Sequence, residues 1–158
     1  MRPFILFTCF CCLLIVSPNT QAQTANTKPQ ITIDHLALFV VDLQKEQNFY
    51  SQVMQLDSLA EPFHDGKHAW FTIGDGIAMH IIQGAPQTKE YYKNNHMCFS
   101  VPAMEAFTKH LTAHSVPFED VKGTVGAITN RIDGIHQIWI KDPEGYWIEI
   151  NDAPHKKR

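Results

Sequence analysis

The sequence predicts an α+β domain built from two similar halves, each running strand, helix and then further strands. Two apolar, β-branched segments each open on a histidine, at His35 and His96. Each segment is followed by a helical pattern and later by a strand with a second possible metal ligand, His80 or Glu149. The separations are 45 positions from His35 to His80 and 53 from His96 to Glu149, so the halves differ by about one loop. The pattern predicts β-α-β-β-β twice, with antiparallel pairs and helices on one face.

The elements of the first half follow from local signals. Residues 31–41 mix β-branched and apolar types, which predicts a buried strand. A helix is expected over residues 42–54, with Asp42 as its N-cap. Residues 69–73 and 77–83 then form a hairpin across a Gly-Asp-Gly turn.

The second half repeats this order. We predict a strand at 96–101, a helix at 103–114, a short strand at 116–121, and a hairpin of residues 135–141 and 146–151. The hairpin turn is Asp-Pro-Glu-Gly, with proline second and glycine fourth, which suits a type I turn.

The predicted organisation is a single domain over residues 31–152, made of modules 31–84 and 95–152. Before it we expect a signal peptide, 1–22, and a linker, 23–30. After it we expect a tail, 153–158.

The first 22 residues have the layout of a secretory signal peptide. Arg2 gives a positive start, residues 4–16 are apolar, and small residues precede a cleavage point after Ala22. We therefore expect export to the periplasm or the extracellular space, and no membrane association after cleavage. A retained membrane anchor is the alternative. Cleavage also removes three of the four cysteines, which leaves Cys98 alone and excludes a disulfide within one chain.

The charge distribution argues against nucleic acid as a partner. The formal net charge is −3, and the basic residues are not clustered into a face that would bind nucleic acid. A small-molecule substrate is the expected partner.

Strand parity places the four candidate ligands consistently, because residues two apart in a strand share a face. His35 lies opposite Leu36, Leu38 and Val40, and His96 lies opposite Met97, Phe99 and Val101. The same parity separates His80 from Met79 and Ile81, and Glu149 from Ile148 and Ile150. In each strand the candidate ligand is opposite the more apolar, helix-facing side.

These four side chains are the candidate metal site. His35, His80, His96 and Glu149 offer imidazole and carboxylate donors, which suit a divalent ion of zinc, iron, nickel, cobalt or manganese. The alternative for any single histidine is a surface or core residue without a metal.

The residues carry a resemblance to a known family. Asp34-His35-Leu36-Ala37-Leu38, Met79-His80-Ile81-Ile82, Asn95-His96 and above all the segment 137–150, with its Asp-Pro-x-Gly-x-x-x-Glu ending, resemble the vicinal-oxygen-chelate superfamily. That superfamily includes glyoxalase I, fosfomycin-resistance and bleomycin-resistance proteins and extradiol dioxygenases. The resemblance implies two βαβββ modules in a cupped mixed sheet, with helices on the outer face, around a divalent metal. It also implies a possible homodimer.

The chain departs from glyoxalase I at three positions. His80 stands where glyoxalase I usually has glutamate, Phe39 where it has a glutathione-binding arginine, and Gly84 where it has an asparagine. These departures argue against lactoylglutathione as the substrate.

Other residues are candidates for the pocket. Trp70 and Trp147 could form its walls, although an aromatic side chain in a sheet is more often core. Gln137 and Arg131 could hold a substrate carboxylate or oxyanion, although a loop arginine is as often simply solvated.

The function expected from these features is that of a metal-dependent lyase or isomerase acting on a small carbonyl or enediolate substrate. Glu149, or a metal-bound hydroxide, would move a proton next to the carbonyl. One alternative is a non-catalytic protein that binds a small molecule or drug in the same fold. Another is an iron(II) extradiol-type dioxygenase.

Overall fold

The computed structural model describes residues 31–154, which form eight strands, two α-helices and a π-helical turn. The predicted signal peptide, the linker and the last four residues of the tail lie outside the described residues. Within residues 31–154, no helix is long and apolar enough to cross a membrane. The elements are β1 (His35–Val40), α1 (Leu43–Asn48), the π-helical turn (Phe49–Val53), β2 (Ser58–Leu59), β3 (His68–Thr72), β4 (Ala78–Gln83), β5 (His96–Ser100), α2 (Met104–Ala113), β6 (Thr129–Asn130), β7 (His136–Lys141) and β8 (Trp147–Asn151).

The strands form two four-stranded mixed sheets with the same topology. The order is β1-β4-β3-β2 in the first sheet and β5-β8-β7-β6 in the second. In each sheet the first strand pairs in parallel with the last strand of its module, and the other neighbours are antiparallel. This confirms the predicted α+β fold of two β-α-β-β-β modules.

The first helix begins as predicted but changes character after two turns. The Asp42 carboxylate accepts a hydrogen bond from the backbone N–H of Lys45 at 3.1 Å, which satisfies a free donor at the helix N-terminus. From Phe49 to Val53 the chain forms a π-helical turn, which a 3.6-residue pattern does not anticipate.

The strand predicted at 116–121 is wrong. Pro117 has no N–H to give to a ladder, and only Glu119 forms an isolated bridge, exchanging backbone hydrogen bonds of 3.0 and 2.8 Å with Trp139. The chain then turns, because Oδ1 of Asp120 accepts from the N–H groups of Lys122 and Thr124. The short strand of this module is β6, further along the chain.

The hydrophobic core lies on the helix-facing side of both sheets. The residues opposite the candidate ligands in β4 and β8, Met79, Ile81, Ile148 and Ile150, are fully buried. They belong to one cluster that also contains residues of both helices. Each fully buried side chain of this size stabilises the fold by about 1.5–3 kcal/mol, so the core fixes which face of each strand is free for function.

A buried acidic cluster joins the two modules. The hydroxyl of Tyr50 donates to Asp142 at 2.8 Å, and the backbone N–H of Glu144 donates to Glu46 at 2.8 Å. Burial raises the pKa of Glu46 to about 9, and the charge of Asp142 adds to the effect. Burial also raises the pKa of Asp142, to about 6. Glu46 is therefore protonated at neutral pH.

Candidate functional site

The register of the parallel pairs places the candidate ligands equivalently in the two modules. His80 lies opposite Ala37 on β1, two positions after His35. Glu149 lies opposite Cys98 on β5, two positions after His96. Each histidine therefore shares a sheet face with the second ligand of its own module. Each half of the molecule presents one pair of possible donors.

In the second module the pair is in contact. Nε2 of His96 lies 3.5 Å from Oε2 of Glu149, whose side chain is 11% exposed. Nδ1 of His96 lies 3.0 Å from the backbone carbonyl oxygen of Lys93. A carbonyl only accepts, so Nδ1 donates to it, and Nε2 is the ring nitrogen that faces the carboxylate. Metal-binding histidines are commonly oriented in this way.

Polar neighbours fix the carboxylate of Glu149. Its Oε1 accepts from Nδ2 of Asn151 at 3.1 Å, and the Cys98 thiol lies 3.5 Å away. Nη1 of Arg131 is 3.8 Å from the same oxygen. Burial and the charge of Glu149 raise the pKa of Cys98 to about 12, so the thiol stays protonated and is a poor ligand or nucleophile.

In the first module the pair lies among aromatic rings. The His80 ring stacks on Trp70 with centroids 3.9 Å apart, and the His35 ring is 6.2 Å from His80. Nδ1 of His35 lies 2.7 Å from the Asp34 carboxylate, which leaves Nε2 for a ligand. Burial, followed by the charges of His68 and His35, lowers the pKa of His80, so its imidazole is neutral near pH 7.

The four candidate ligands form two pairs and do not gather around one point. Within residues 31–154, no three of them bring ligand atoms within 4.8 Å of one another. Residues 36–38 of β1 and residues 95–97 at the start of β5 line the same cavity of about 190 Å³, so the edges of the two sheets lie alongside each other. His96 is part of that lining.

The residues of both pairs fit a divalent metal by their chemistry. Nε2 of His80 is buried and has no hydrogen-bond partner among the described residues. A buried polar atom without a partner is unfavourable unless a ligand satisfies it. Neutral imidazole nitrogens and a carboxylate are donors that zinc, iron, nickel, cobalt and manganese accept.

The substrate-binding candidates occupy different surroundings. Trp70 lies against His80, whereas the indole N–H of Trp147 donates to the backbone carbonyl of Tyr91 at 3.0 Å. Gln137 is 7% exposed and pairs with Asn151, which places it on the face of Glu149. Arg131 is bound to Asp133 at 2.7 Å while remaining near Glu149. All four lie on or beside the ligand-bearing faces.

Sequence reasoning missed Trp139 and a loop cluster. Trp139 pairs with Glu149 and meets the His96 ring edge-on at 4.5 Å. Trp139 is two residues from Gln137 on β7 and therefore lies on the same face, and this spacing could have identified it from the sequence. With Trp147 it lines a cavity of about 370 Å³. The loop cluster is Glu61, Asp65 and His68, and no periodic pattern marks it because two of its members lie in the loop before β3 and the third is the first residue of that strand.

The fold and the two donor pairs define a two-module protein with a candidate divalent-metal site. The chain belongs to the Glyoxalase/Bleomycin resistance protein/Dioxygenase superfamily, whose sequence model matches residues 32–150.

The relatives include proteins of different activities. A lactoylglutathione lyase of Pseudomonas putida is 26% identical, and the match covers 84% of this chain and 91% of that protein. The crystal structure of the fosfomycin resistance protein FosX from Listeria monocytogenes matches with a TM-score of 0.63 at 19% identity, covering 80% of this chain and 96% of that one. A lactoylglutathione lyase from Agrobacterium tumefaciens matches with a TM-score of 0.59 at 19% identity, with the same coverage. At these identities the structural likeness shows the fold alone.

Proposed function

We propose that this protein is a divalent-metal-dependent lyase or isomerase acting on a small substrate with carbonyl or enediolate oxygen atoms. The observation that carries the proposal is the pairing of His96 with Glu149, in which an oriented Nε2 faces a carboxylate oxygen at 3.5 Å. His35, His80, His96 and Glu149 are the residues that would hold the ion. When bound, a divalent ion supplies Lewis-acid polarisation of substrate oxygens.

Glu149 is the residue we assign to proton movement. Asn151 holds Oε1 of this carboxylate, while Oε2 is directed towards His96. A carboxylate fixed in this way can take a proton from the carbon next to a carbonyl and return it to a neighbouring carbon. The Arg131 guanidinium, 3.8 Å from Oε1, is placed to bind a substrate carboxylate or a developing oxyanion.

We further propose that the substrate is not lactoylglutathione. The ring of Phe39, which is 49% exposed, lies so close to Gly84 that a Cβ there would come within 3.0 Å of it. These are the two positions where the resemblance leads us to expect an arginine and an asparagine. An apolar ring beside a glycine offers no charge or hydrogen bond to a glutathione carboxylate. The cavity beside Trp139 and Trp147 suits an apolar or aromatic portion of the substrate.

Export and dimerisation belong to the same proposal. The charge and apolar pattern of the first 22 residues supports export and cleavage after Ala22, which N-terminal sequencing of the secreted protein would test. Exposed apolar side chains support a homodimer. Leu36 and Phe39 of β1 are more than a third exposed, and analytical ultracentrifugation would test whether two chains associate.

The deciding experiment combines metal content with turnover. We expect the purified protein to contain a divalent metal and to convert members of a panel of 2-oxoaldehyde thiol adducts. Glu149→Gln preserves the shape and the acceptor for Asn151 but cannot take a proton, so it should lose turnover. Glu105→Gln is the matched control, because Glu105 is an exposed helical carboxylate whose ion-pair partner within residues 31–154 is Lys109.

The alternatives predict different results. If the protein contains no metal, and His80→Ala and Glu149→Ala fold and bind ligands unchanged, the metal proposal is wrong. Tight small-molecule binding without turnover would support the non-catalytic binding protein. Oxygen consumption with catechols would support the dioxygenase.

A further inference from the structure

Lys93, in the connector between the two modules, contacts the candidate metal ligand His96 through its backbone. Residues 92–95 form a β-turn, in which the N–H of Asn95 donates to the carbonyl of Tyr92 at 2.8 Å. The turn leads directly into β5, whose first residue is His96. The Lys93 carbonyl accepts from Nδ1 of His96 at 3.0 Å. The position of this turn therefore sets the orientation of the His96 ring.

The side chain of Lys93 is held by the loop that follows α2. Nζ of Lys93 donates to Oε1 of Glu119 at 2.7 Å and to the backbone carbonyl of Asp120 at 2.9 Å. The Lys93 and Glu119 side chains are 22% and 25% exposed, so water screens this ion pair less than one on the surface. Glu119 exchanges backbone hydrogen bonds of 3.0 and 2.8 Å with Trp139 of β7. The charged end of Lys93 is thus attached to β7 through Glu119.

Two tryptophan rings complete the surroundings of the Lys93 ammonium group. Nζ lies 5.2 Å from the ring centroid of Trp139 and 5.1 Å from that of Trp147. A cation within about 6 Å of an aromatic ring is attracted by the negative face of the ring. With Glu119, the two rings form a binding site for one cation, which the chain fills with its own lysine. This group of four residues, Lys93, Glu119, Trp139 and Trp147, is the Lys93 cluster.

The Lys93 cluster also contacts His96 and its surroundings through the two tryptophans. The Trp139 ring meets the His96 ring edge-on at 4.5 Å. Trp147 pairs with His96 in the parallel ladder of β5 and β8. The indole N–H of Trp147 donates at 3.0 Å to the carbonyl of Tyr91, which directly precedes the turn. His96 is therefore contacted both by the Lys93 carbonyl and by a ring of the cluster.

The other side chains of the turn face solvent. Tyr92, Asn94 and Asn95 are exposed, whereas Lys93 is half-buried. Exposed turns with few buried contacts open readily. The contacts of the Lys93 side chain therefore keep its carbonyl in place at Nδ1 of His96.

We propose that Lys93 is a positioning residue for the metal centre formed by His35, His80, His96 and Glu149. Its carbonyl orients the His96 ring, and its ammonium group, bound in the Lys93 cluster, holds that carbonyl in place. The inference rests on the proposed function, because it assigns a role in metal binding to a residue that is not itself a ligand. Hydrogen bonds that orient a metal-binding histidine commonly change metal affinity by about 10- to 100-fold.

Positioning and simple charge effects predict opposite results at Lys93. Removal of a nearby positive charge should by itself strengthen the binding of a divalent cation, because like charges repel. Loss of positioning should weaken it. For Glu119 both effects weaken binding, so a substitution of Lys93 is the decisive one.

The test is the zinc affinity of the purified protein, measured by competition with a zinc-chelating dye. Lys93→Met keeps the length of the side chain and removes its charge, so it should raise the Kd for zinc by about 10- to 100-fold. Lys93→Arg keeps a cation that pairs with carboxylates and stacks on indole rings, so it should bind zinc nearly as wild type does. Glu119→Gln should also weaken binding. Its combination with Lys93→Met should add little, because both substitutions break the same contact.

Lys141→Met is the matched control. Nζ of Lys141 also lies over the Trp147 ring, at 4.5 Å, but the contacts found within residues 31–154 do not join Lys141 to the turn at residues 92–95. Removal of its charge should leave the zinc affinity unchanged or slightly higher. Circular dichroism and thermal melting verify that each variant is folded.

A second readout needs no metal. In metal-free wild-type protein at about pH 8.5, where histidine side chains are ordinarily neutral, the ¹⁵N chemical shift of Nδ1 of His96 should be that of a protonated nitrogen. In Lys93→Met it should move towards the value of a nitrogen without a proton, because the ring is released from the carbonyl. Lys93→Arg and Lys141→Met should keep the wild-type shift.

The two readouts separate a failure of this inference from a failure of the metal centre. If Lys93→Met binds zinc as tightly as wild type or more tightly, or leaves the Nδ1 shift of His96 unchanged, Lys93 is not a positioning residue. Zinc bound by the wild type would then still support the centre. If the wild type binds no zinc, the centre is wrong, and a changed Nδ1 shift in Lys93→Met would still show that Lys93 orients His96.

Discussion

The two modules share one backbone plan but treat their second ligand position in opposite ways. Glu149 in the second module is surrounded by polar groups of His96, Asn151 and Arg131. His80, at the equivalent register position of the first module, stacks on a tryptophan and has no hydrogen-bond partner in the described part of the chain. The second half therefore surrounds the carboxylate of Glu149 with its own polar groups. The first half leaves Nε2 of His80 for a ligand to satisfy. Duplication of a fold fixes where a side chain stands but not what surrounds it.

The largest effect is expected on catalysis, from a substitution of Glu149 in the second module. Glu149→Gln should lower kcat/KM by about 10²–10⁴, because a positioned proton-transfer group contributes that much to catalysis. Steady-state kinetics on the substrate identified by the panel would measure the loss. A comparable loss in the control Glu105→Gln would mean that general charge, and not position, explains the effect.

Truncation of a buried isoleucine should destabilise the two halves by similar amounts. Ile81 and Ile150 each follow the second ligand, and both are fully buried. Replacing either by alanine should lower the free energy of unfolding by about 2–5 kcal/mol, from lost burial and the resulting cavity. Urea denaturation of the two variants would measure it. A loss below 1 kcal/mol in one variant alone would show that the modules differ in packing as well as in chemistry.

The buried acidic cluster predicts a pH dependence of stability. The folded-state pKa of Glu46 is raised from 4.5 to about 9, so the folded chain keeps a proton that the unfolded chain releases. Stability should be highest below about pH 4.5 as far as this group is concerned, and should fall as the pH rises towards 9. Glu46→Gln keeps an acceptor for the Glu144 N–H and should flatten this decline. Thermal melts at pH 5, 7 and 9 would show whether the two slopes differ.

The smallest effect is expected at His80. In metal-free protein, His80→Phe should raise the free energy of unfolding by about 1 kcal/mol, because it removes a buried nitrogen whose missing hydrogen bond is unfavourable by about 1–3 kcal/mol. Phenylalanine can also stack on Trp70. Glu149→Leu, its counterpart, should lower stability, because it removes the oxygen acceptor of Asn151 and leaves its Nδ2 with the weak sulfur acceptor of Cys98 at 3.1 Å. If both variants destabilise equally in chemical denaturation, the contrast between the halves is wrong.

Much of the fold could be predicted because its signals are local. Alternation in β1, β4, β5 and β8 predicted the facing of all four candidate ligands, and the buried Met79, Ile81, Ile148 and Ile150 confirm it for β4 and β8. The Asp42 cap and the turn ending at Gly145, whose N–H donates to the Asp142 carbonyl at 3.0 Å, are also local chemistry.

The parts of the structure that could not be predicted depend on tertiary strand pairing or on irregular loop geometry. The segment 116–121 has strand-like composition, but pairing requires N–H groups and a free neighbour, and it forms only the bridge at Glu119. The loop cluster around His68 carries no period, so no pattern could place Glu61 and Asp65 beside it. The assignment of the four ligands to one metal stays a prediction, which the two observed pairs do not decide.

The links between Tyr50 and Asp142 and between Glu46 and Glu144 have a consequence for the order of folding. Their partners are 92 and 98 residues apart in sequence. A growing polypeptide cannot form these contacts until residues 142–144 have left the ribosome. Until then Glu46 of α1 lacks its partner, which disfavours early closure of the core around it. We therefore expect the packing of α1 to be completed only when the turn between β7 and β8 is in place.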